Sequence, residues 1–213
     1  MDRNSDESIG SLRQQPKSLN DLAHDLVTTL FTPLARCLQR MRVSANTVTV
    51  LGFILNLCAG GVLVMGRMQF AAVLIAVGGL LDGLDGLLAR LSGQVSSFGA
   101  FFDSVLDRWS EGVVFLGLLI WYQRADMTVE VILIYISLVS SLLVSYTRAR
   151  AEGVGAQCKR GLFTRLERVV VLVAGLVLRQ VTIALWILAV FATFTAVQRI
   201  YLTWRYIRDH EID

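Results

Sequence analysis

The feature that most constrains this chain is a series of apolar runs, most of them long enough to cross a lipid bilayer. A bilayer core of about 30 Å needs roughly 20 apolar residues in a helix. Such runs occupy residues 48–65, 70–90, 98–121, 129–144, 169–178 and 183–204, the fifth being the shortest. The sequence therefore predicts an all-α, polytopic integral membrane protein with six transmembrane helices.

Composition excludes the main alternative classes. Of the 213 residues, 54% are hydrophobic and 17% are charged, whereas a soluble domain usually has about 25% charged residues. An ordinary water-soluble enzyme is therefore not expected, and the apolar fraction excludes disorder over most of the chain. The three cysteines, Cys37, Cys58 and Cys158, are an odd number without paired spacing, which excludes a disulfide-built secreted module.

Arginine and lysine are distributed unequally between the two sides that six spans define. Cytoplasmic loops of membrane proteins are enriched in these residues. One side would hold Arg67, Arg124 and Arg179, and the other would hold Arg36, Arg40, Arg42, Arg90, Arg148, Arg150, Lys159, Arg160, Arg165, Arg168, Arg205 and Arg208. This asymmetry predicts a multi-pass protein of the inner (plasma) membrane with both termini in the cytoplasm. No nucleic-acid partner is predicted.

Two segments precede the first span. Residues 1–18 are polar and lack an apolar run, which predicts a disordered cytoplasmic tail and not a signal peptide. Within residues 19–42, apolar side chains recur at helical spacing, as expected of an amphipathic juxtamembrane helix on the cytoplasmic interface. A helix packed on the bundle would give the same pattern, so both interpretations stay open. The six-helix domain is predicted to cover residues 43–208.

Four aspartates interrupt the second and third apolar runs, where insertion scales put the cost of each at about 2.5–3.5 kcal/mol. Asp82 and Asp85 are three residues apart, and Asp103 and Asp107 are four apart, so each pair lies on one helix face. A turn at residues 91–97 separates the pairs, and its centre is equidistant from Asp82 and Asp107. An antiparallel hairpin would bring all four carboxylates to one level, roughly 15 Å or less from the turn.

Four close carboxylates repel one another in low-dielectric surroundings unless cations neutralise them. All-oxygen ligation suits Mg²⁺ or Mn²⁺, and two ions would balance four charges. No histidine or cysteine occupies a matching position, which argues against Zn²⁺. Inter-helix salt bridges or the ion pathway of a divalent-cation transporter are the alternatives, although Arg108 is the only cation in the acidic stretch of the third span. Repeated or broken spans, which are typical of transporters, are not evident.

The acidic residues belong to a longer pattern. It reads Asp82-x-x-Asp85-Gly86-x-x-Ala89-Arg90, then eight residues, then Gly99-x-x-x-Asp103-x-x-x-Asp107. This pattern resembles the signature of the CDP-alcohol phosphotransferases at every defining position, and the general resemblance runs from about residue 44 to 206. That family has six transmembrane helices, usually as homodimers, with a site that faces the cytoplasm. The resemblance implies transfer of a phosphatidyl or related group from a CDP-linked donor to an alcohol, with release of CMP.

The resemblance also implies individual roles. Asp82 and Asp103 would bridge two Mg²⁺ ions, for which Mn²⁺ is a possible substitute, while Asp85 and Asp107 would complete one metal site each. Asp107 would in addition be the catalytic base that deprotonates the acceptor hydroxyl. The residues implied to contact the CDP donor are Ala45, Asn46, Thr47, Val48, Gly86, Ala89, Arg90, Ser96 and Gly99. Helix capping by Asn46 and Thr47 is the alternative for that pair.

The acceptor is inferred from basic residues near the expected cytoplasmic mouth. Six cationic side chains lie between Arg148 and Arg168, and a phosphorylated acceptor needs them whereas a neutral alcohol does not. The segments 146–153 and 161–168 are similar to bacterial phosphatidylinositol-phosphate synthases. This resemblance implies that Arg148, Arg168 and Arg199 bind the phosphate of inositol 1-phosphate, although the asymmetry of membrane loops alone would supply several arginines.

The expected reaction is attack of the inositol 1-phosphate hydroxyl on the β-phosphorus of CDP-diacylglycerol, a membrane lipid. The products would be phosphatidylinositol phosphate and CMP. Two alternatives within the family stay open. One uses glycerol 3-phosphate as the acceptor and gives phosphatidylglycerol phosphate, and the other uses serine or another small alcohol.

Overall fold

The computed structural model describes residues 31–156 and 163–210, and in these ranges the chain consists of helices and short turns. The described part of α1 covers residues 31–40. It is followed by α2 (Ala45–Val64), α3 (Met68–Leu91), α4 (Ser97–Arg124), α5 (Thr128–Gly153), α6 (Arg165–Val177) and α7 (Val181–His210). The predicted all-α class is confirmed.

Four helices, α2, α3, α5 and α7, are long and apolar enough to cross a membrane. Helix α4 has 28 residues, but Asp103, Asp107, Arg108 and Glu111 lower the hydropathy of its first fifteen residues. Helix α6 has 13 residues, or about 20 Å at 1.5 Å per residue, which is less than the thickness of a bilayer core. The chain is therefore an all-α integral membrane protein in which four described helices meet both requirements for a span.

Side-chain caps set where the helices at one end of the bundle begin. Ser44 accepts a hydrogen bond from the backbone amide of Thr47 at the start of α2, at 3.2 Å. Ser96 accepts one from the amide of Gly99 at the start of α4, at 3.0 Å. In the turn between α3 and α4, Gly93 has φ +64°, which a residue without a Cβ adopts easily. The predicted turn at residues 91–97 is thus the hairpin that joins the two acidic helices.

One apolar core connects the helices. Helix α2 packs against α3 and α4, α5 packs against α4 and α7, and α6 contacts both α3 and α7. Buried side chains from five different helices meet in this core, namely Leu63, Ile75, Leu118, Leu176 and Leu185. Because α6 contacts α3, residues far apart in the sequence can lie together at the end of the bundle that carries the four aspartates.

Helix α1 packs on the bundle. Ala35 is fully buried in a small core with Val48, Leu84 and Leu88 of α2 and α3, and the Gln39 side chain donates to the carbonyl of Leu91 at 3.1 Å. Of the two interpretations of residues 19–42, the described part fits packing on the bundle. The predicted tail at residues 1–18 and the first part of the juxtamembrane helix lie outside the described residues.

The crossing of α2 and α4 depends on two glycines. A Cβ on Gly117 would stand 2.9 Å from the Cα of Gly60, so Gly117→Ala forces the two backbones apart. We expect this substitution to lower the free energy of unfolding by about 1–3 kcal/mol. Gly112→Ala is the matched control on the same helix, because its Cβ would meet nothing within 4 Å. Thermal unfolding in detergent measures both, and equal stability of the two variants would contradict the close crossing.

Candidate active site

Three carboxylates converge beside α2. Asp82 and Asp85 of α3 and Asp103 of α4 each offer an oxygen atom, and these oxygens lie within 4.8 Å of one another. Asp85 is buried, with 5% of its surface exposed, and its Oδ2 accepts a hydrogen bond from the Thr49 hydroxyl at 2.5 Å. Negative charges packed this closely favour the binding of a cation among them.

The chemistry of this cluster fits a hard divalent ion. Its potential ligands are all carboxylate oxygens, the donor type that Mg²⁺ and Mn²⁺ prefer. The Oδ1 atom of Asp103 is buried and accepts no hydrogen bond from the described residues. A buried polar atom without a partner is costly, and coordination to a metal would satisfy it. Asp82, Asp85 and Asp103 are therefore candidate metal ligands.

The fourth aspartate joins the cluster through an arginine. Arg165, the first residue of α6, donates from Nη2 to Asp107 Oδ1 at 2.7 Å and from Nη1 to Asp82 Oδ2 at 2.5 Å. Arg108, which the sequence presents as the only cation in the acidic stretch of its span, turns back to the carbonyl of Ser104 on its own helix. The arginine that contacts the acidic cluster thus comes from α6.

A cleft of about 310 Å³ opens next to the carboxylates. Asp85 and Asp103 form part of its wall, together with Thr49 and the turn residues Gln94 and Val95. Seven of the nine residues that the family resemblance assigns to the CDP donor also line it, namely Ala45, Asn46, Gly86, Ala89, Arg90, Ser96 and Gly99. The cleft therefore joins most of the expected donor contacts to two of the expected metal ligands.

The remaining two donor candidates lie outside this lining. The Thr47 hydroxyl shares a hydrogen bond of 2.8 Å with the Ser44 hydroxyl in the cap of α2. Val48 is buried in the small core beneath α1. Both side chains therefore contact other residues of the protein at the start of α2. Thr47 thus takes part in the cap of α2, whose capping residue is Ser44.

The three arginines assigned to the acceptor phosphate have separate partners. Arg148 is half exposed and pairs with Glu152, one turn further along α5, at 2.9 Å. Arg199 is buried in α7 and donates to the carbonyl of Val144 at 2.5 Å. Arg168 is buried in α6, where it contacts Glu111. The structure therefore distributes these side chains over three helices, α5, α6 and α7.

Glu111 holds Arg168 next to the fourth aspartate. Its carboxylate accepts from Arg168 Nε at 3.0 Å and Nη2 at 3.2 Å, and it also accepts from the Ser141 hydroxyl at 2.7 Å. A small cavity of about 30 Å³ lies between α4 and α6 and is lined by Asp107, Glu111, Arg165 and Arg168, among others. Three helices, α4, α5 and α6, are thus joined by polar contacts behind the acidic cluster.

Sequence reasoning missed three residues of this site. Glu111 follows Asp107 by four residues, as Asp107 follows Asp103, so the spacing itself could have indicated a continued helix face. Thr49 follows the donor candidates Ala45 and Asn46 by one helical turn. For Arg165 no local pattern existed, because 83 positions separate it from its partner Asp82.

Comparison with known proteins identifies relatives of the chain. A family model described as CDP-alcohol phosphatidyltransferase matches residues 42–198. The archaetidylinositol phosphate synthase of Pyrococcus horikoshii is 32% identical over 170 residues, which cover 79% of this chain and 87% of that protein.

Two solved structures of the Mycobacterium tuberculosis phosphatidylinositol phosphate synthase have the same fold. The one with CDP-DAG bound has a TM-score of 0.77 and 33% identity, covering 83% of this chain and 94% of that one. The one in complex with manganese and citrate has a TM-score of 0.77 and 34% identity, covering 82% and 88%.

Proposed function

The chain belongs to the CDP-alcohol phosphatidyltransferase family, and from this premise we propose that it transfers the phosphatidyl group of CDP-diacylglycerol to inositol 1-phosphate. The observation that carries the proposal is the cleft of about 310 Å³ that joins seven expected donor contacts to Asp85 and Asp103. The structural relative with CDP-DAG bound supports the donor. The relatives named as inositol phosphate synthases support the acceptor.

We assign two Mg²⁺ ions to the four aspartates. Asp82 and Asp103 would contact both ions, Asp85 would complete one site and Asp107 the other. The convergence of three of these carboxylates and the manganese complex of the structural relative support divalent metal use. When bound, the ions would offset the charge of the donor pyrophosphate and stabilise the oxygens of the phosphoryl transfer.

The cleft residues would hold the CDP part of the donor. A Cβ on Gly86 would point into open space, so its absence leaves room for the nucleotide beside α3. Arg90, one turn further, lines the same cleft and would pair with a phosphate. Ala89, Ser96 and Gly99 would complete this wall, while Ala45 and Asn46 would contact the donor from α2.

Asp107 would act as the base. Arg165 donates to its Oδ1 atom, and the carboxylate would accept the proton of the acceptor hydroxyl. As that O–H bond breaks, the acceptor oxygen forms a bond to the β-phosphorus of the donor, and the bond from that phosphorus to CMP breaks. A carboxylate within hydrogen-bond reach of the hydroxyl is sufficient for this proton transfer.

The acceptor would be held by basic residues on the α4–α6 side of the site. Arg168 shares a cavity with Asp107, which supports a phosphate contact close to the base. We further assign Arg148 and Arg199 to this acceptor region. Arginine suits the task because its planar fork matches phosphate oxygens.

We further propose that helices α2 to α7 form six membrane spans. The protein would lie in the inner (plasma) membrane, with the active site and both termini on the cytoplasmic side. The turns with Arg67, Arg124 and Arg179 would face the opposite side, and this unequal distribution of arginine supports the orientation. The family resemblance supports a homodimer.

Release of CMP tests the function. Purified protein is incubated with CDP-diacylglycerol and Mg²⁺ and with inositol 1-phosphate, glycerol 3-phosphate, serine or inositol in turn. We expect kcat/KM for inositol 1-phosphate to exceed that for inositol by at least about 100-fold, because the assigned arginines would pair with the phosphate of the first acceptor and have no such group to bind in the second. A preference for neutral inositol or for glycerol 3-phosphate would contradict the assigned acceptor. Ion flux in proteoliposomes without CMP release would indicate a transporter.

A further inference from the structure

Glu111 has no role in the reaction described above, although it continues the acidic face of α4. It follows Asp107 by one helical turn and lines the same small cavity. Its carboxylate is occupied on both oxygens, by Arg168 Nε and Ser141 on Oε1 and by Arg168 Nη2 on Oε2. Since both oxygens already accept hydrogen bonds, Glu111 is poorly placed to coordinate a metal or to take a proton from a substrate.

The geometry of the ion pair leaves part of the guanidinium unused. Arginine has five N–H donors in a rigid plane. The two hydrogen bonds to Glu111 come from Nε and Nη2, which form one edge of that plane, and neither of them uses Nη1. A second planar edge, made by Nη1 and the other Nη2 hydrogen, is therefore still suited to a phosphate.

Burial fixes this orientation. The side chain of Arg168 is 3% exposed and that of Glu111 is 13% exposed, so water competes little with their hydrogen bonds. The Ser141 hydroxyl ties the carboxylate to α5 at 2.7 Å. Glu111 therefore cannot turn without breaking contacts to two helices, and Arg168 is held in one direction relative to Asp107.

Stability alone gives little reason for this arrangement. A buried ion pair often contributes no more to stability than apolar side chains of the same volume. The pair lies on the cavity that contains the assigned base, where a fixed cation would serve substrate binding. The cavity of about 30 Å³ has the volume of a single water, so an acceptor would enter by displacing neighbouring side chains. The side chain of Arg165 is 30% exposed and that of Arg168 is 3% exposed, so Arg168 is the more deeply buried of the two arginines on this cavity.

We propose that Glu111, held by Ser141, is a positioning residue that directs the free edge of Arg168 toward the phosphate of a phosphorylated alcohol acceptor. The inference rests on the proposed function. It adds a determinant of acceptor affinity that touches neither the substrate nor the metals, and it explains why an acidic residue stands beside a site for an anion.

Glu111→Gln tests the inference, because the amide keeps the size of the side chain and removes the charge and one acceptor oxygen. We expect KM for inositol 1-phosphate to rise about 10- to 100-fold, the size of effect known for residues that orient metal ligands. KM for CDP-diacylglycerol and the affinity for Mn²⁺ should change less than twofold. The preference for inositol 1-phosphate over inositol should shrink by the same factor as the acceptor KM grows.

Glu130→Gln is the matched control. Glu130 is also buried and accepts a hydrogen bond from Thr182 at 2.9 Å, but it lies at the start of α5, far from the acidic cluster. If loss of any buried carboxylate disturbed the bundle equally, both variants would change all kinetic constants together. An acceptor-specific effect of Glu111→Gln alone supports positioning.

Ser141→Ala gives a second measurement should Glu111→Gln fail to fold. It leaves the ion pair intact and removes one hydrogen bond, so we expect KM for the acceptor to rise about three- to tenfold. If the KM for the acceptor is unchanged in those of the two variants that fold, the inference is overturned. A wild-type protein that releases no CMP with inositol 1-phosphate would instead refute the proposed function.

Discussion

Asp107→Asn should lower the rate of CMP release by about 100- to 10,000-fold, the range that loss of a general acid–base group produces. Asparagine keeps the size of the side chain and can still accept a hydrogen bond from Arg165, but it cannot take the proton of the acceptor hydroxyl. Turnover is measured as CMP released from CDP-diacylglycerol at saturating inositol 1-phosphate.

The same samples separate loss of chemistry from loss of structure. Binding of CDP-diacylglycerol should be retained in part, because the donor cleft is lined by Asp85 and Asp103 and not by Asp107. Asp126→Asn is a matched control, since Asp126 is an exposed aspartate in the turn after α4. If Asp107→Asn kept more than a tenth of the wild-type turnover, Asp107 would not be the base.

Asp103→Asn should weaken Mn²⁺ binding by at least about 100-fold. Loss of a residue that only supports a metal ligand typically costs 10- to 100-fold, and this change removes a charged ligand. It also replaces the buried Oδ1 atom, which accepts no hydrogen bond from the described residues, by a neutral group with weaker attraction for a cation. Titration of the purified protein with Mn²⁺, followed by electron paramagnetic resonance, measures the affinity directly.

The titration has two internal checks. Asp126→Asn should bind Mn²⁺ as the wild type does, because this side chain is not part of the carboxylate cluster. Removal of metal by a chelator should stop CMP release, and added Mg²⁺ or Mn²⁺ should restore it. Wild-type affinity in Asp103→Asn, or activity after complete chelation, would contradict the metal assignment.

The sequence predicted the parts of the site that depend on spacing along a helix. Asp82, Asp85 and Asp103 converge, because intervals of three and four residues keep side chains on one helix face and a short turn pairs two such faces. The donor candidates on α3 and α4 share one cleft for the same reason. Each of these relationships is contained within a hairpin of two consecutive helices.

Contacts between distant helices could not be read in this way. Arg165 is 83 positions from Asp82 along the chain, and the packing of α6 against α3 brings the two side chains together. The excess of arginine and lysine expected in cytoplasmic loops already accounted for Arg165. The sequence therefore gave no reason to separate it from the other loop arginines. Val48 is the opposite case, a residue that the motif assigned to the donor site. Its side chain is instead buried in the small core beneath α1.

The ion pair between Glu111 and Arg168 also bears on how the protein is assembled in a bilayer. Helix α6 has only 13 residues, and in the proposed six-span arrangement it would also carry the charged side chain of Arg168 into the membrane, which is costly. Alone, such a helix would insert poorly into a bilayer. With α4 already in place, Glu111 offers its arginine a partner of opposite charge. Because α4 precedes α6 in the sequence, the helix that carries Glu111 leaves the ribosome before the helix that carries Arg168.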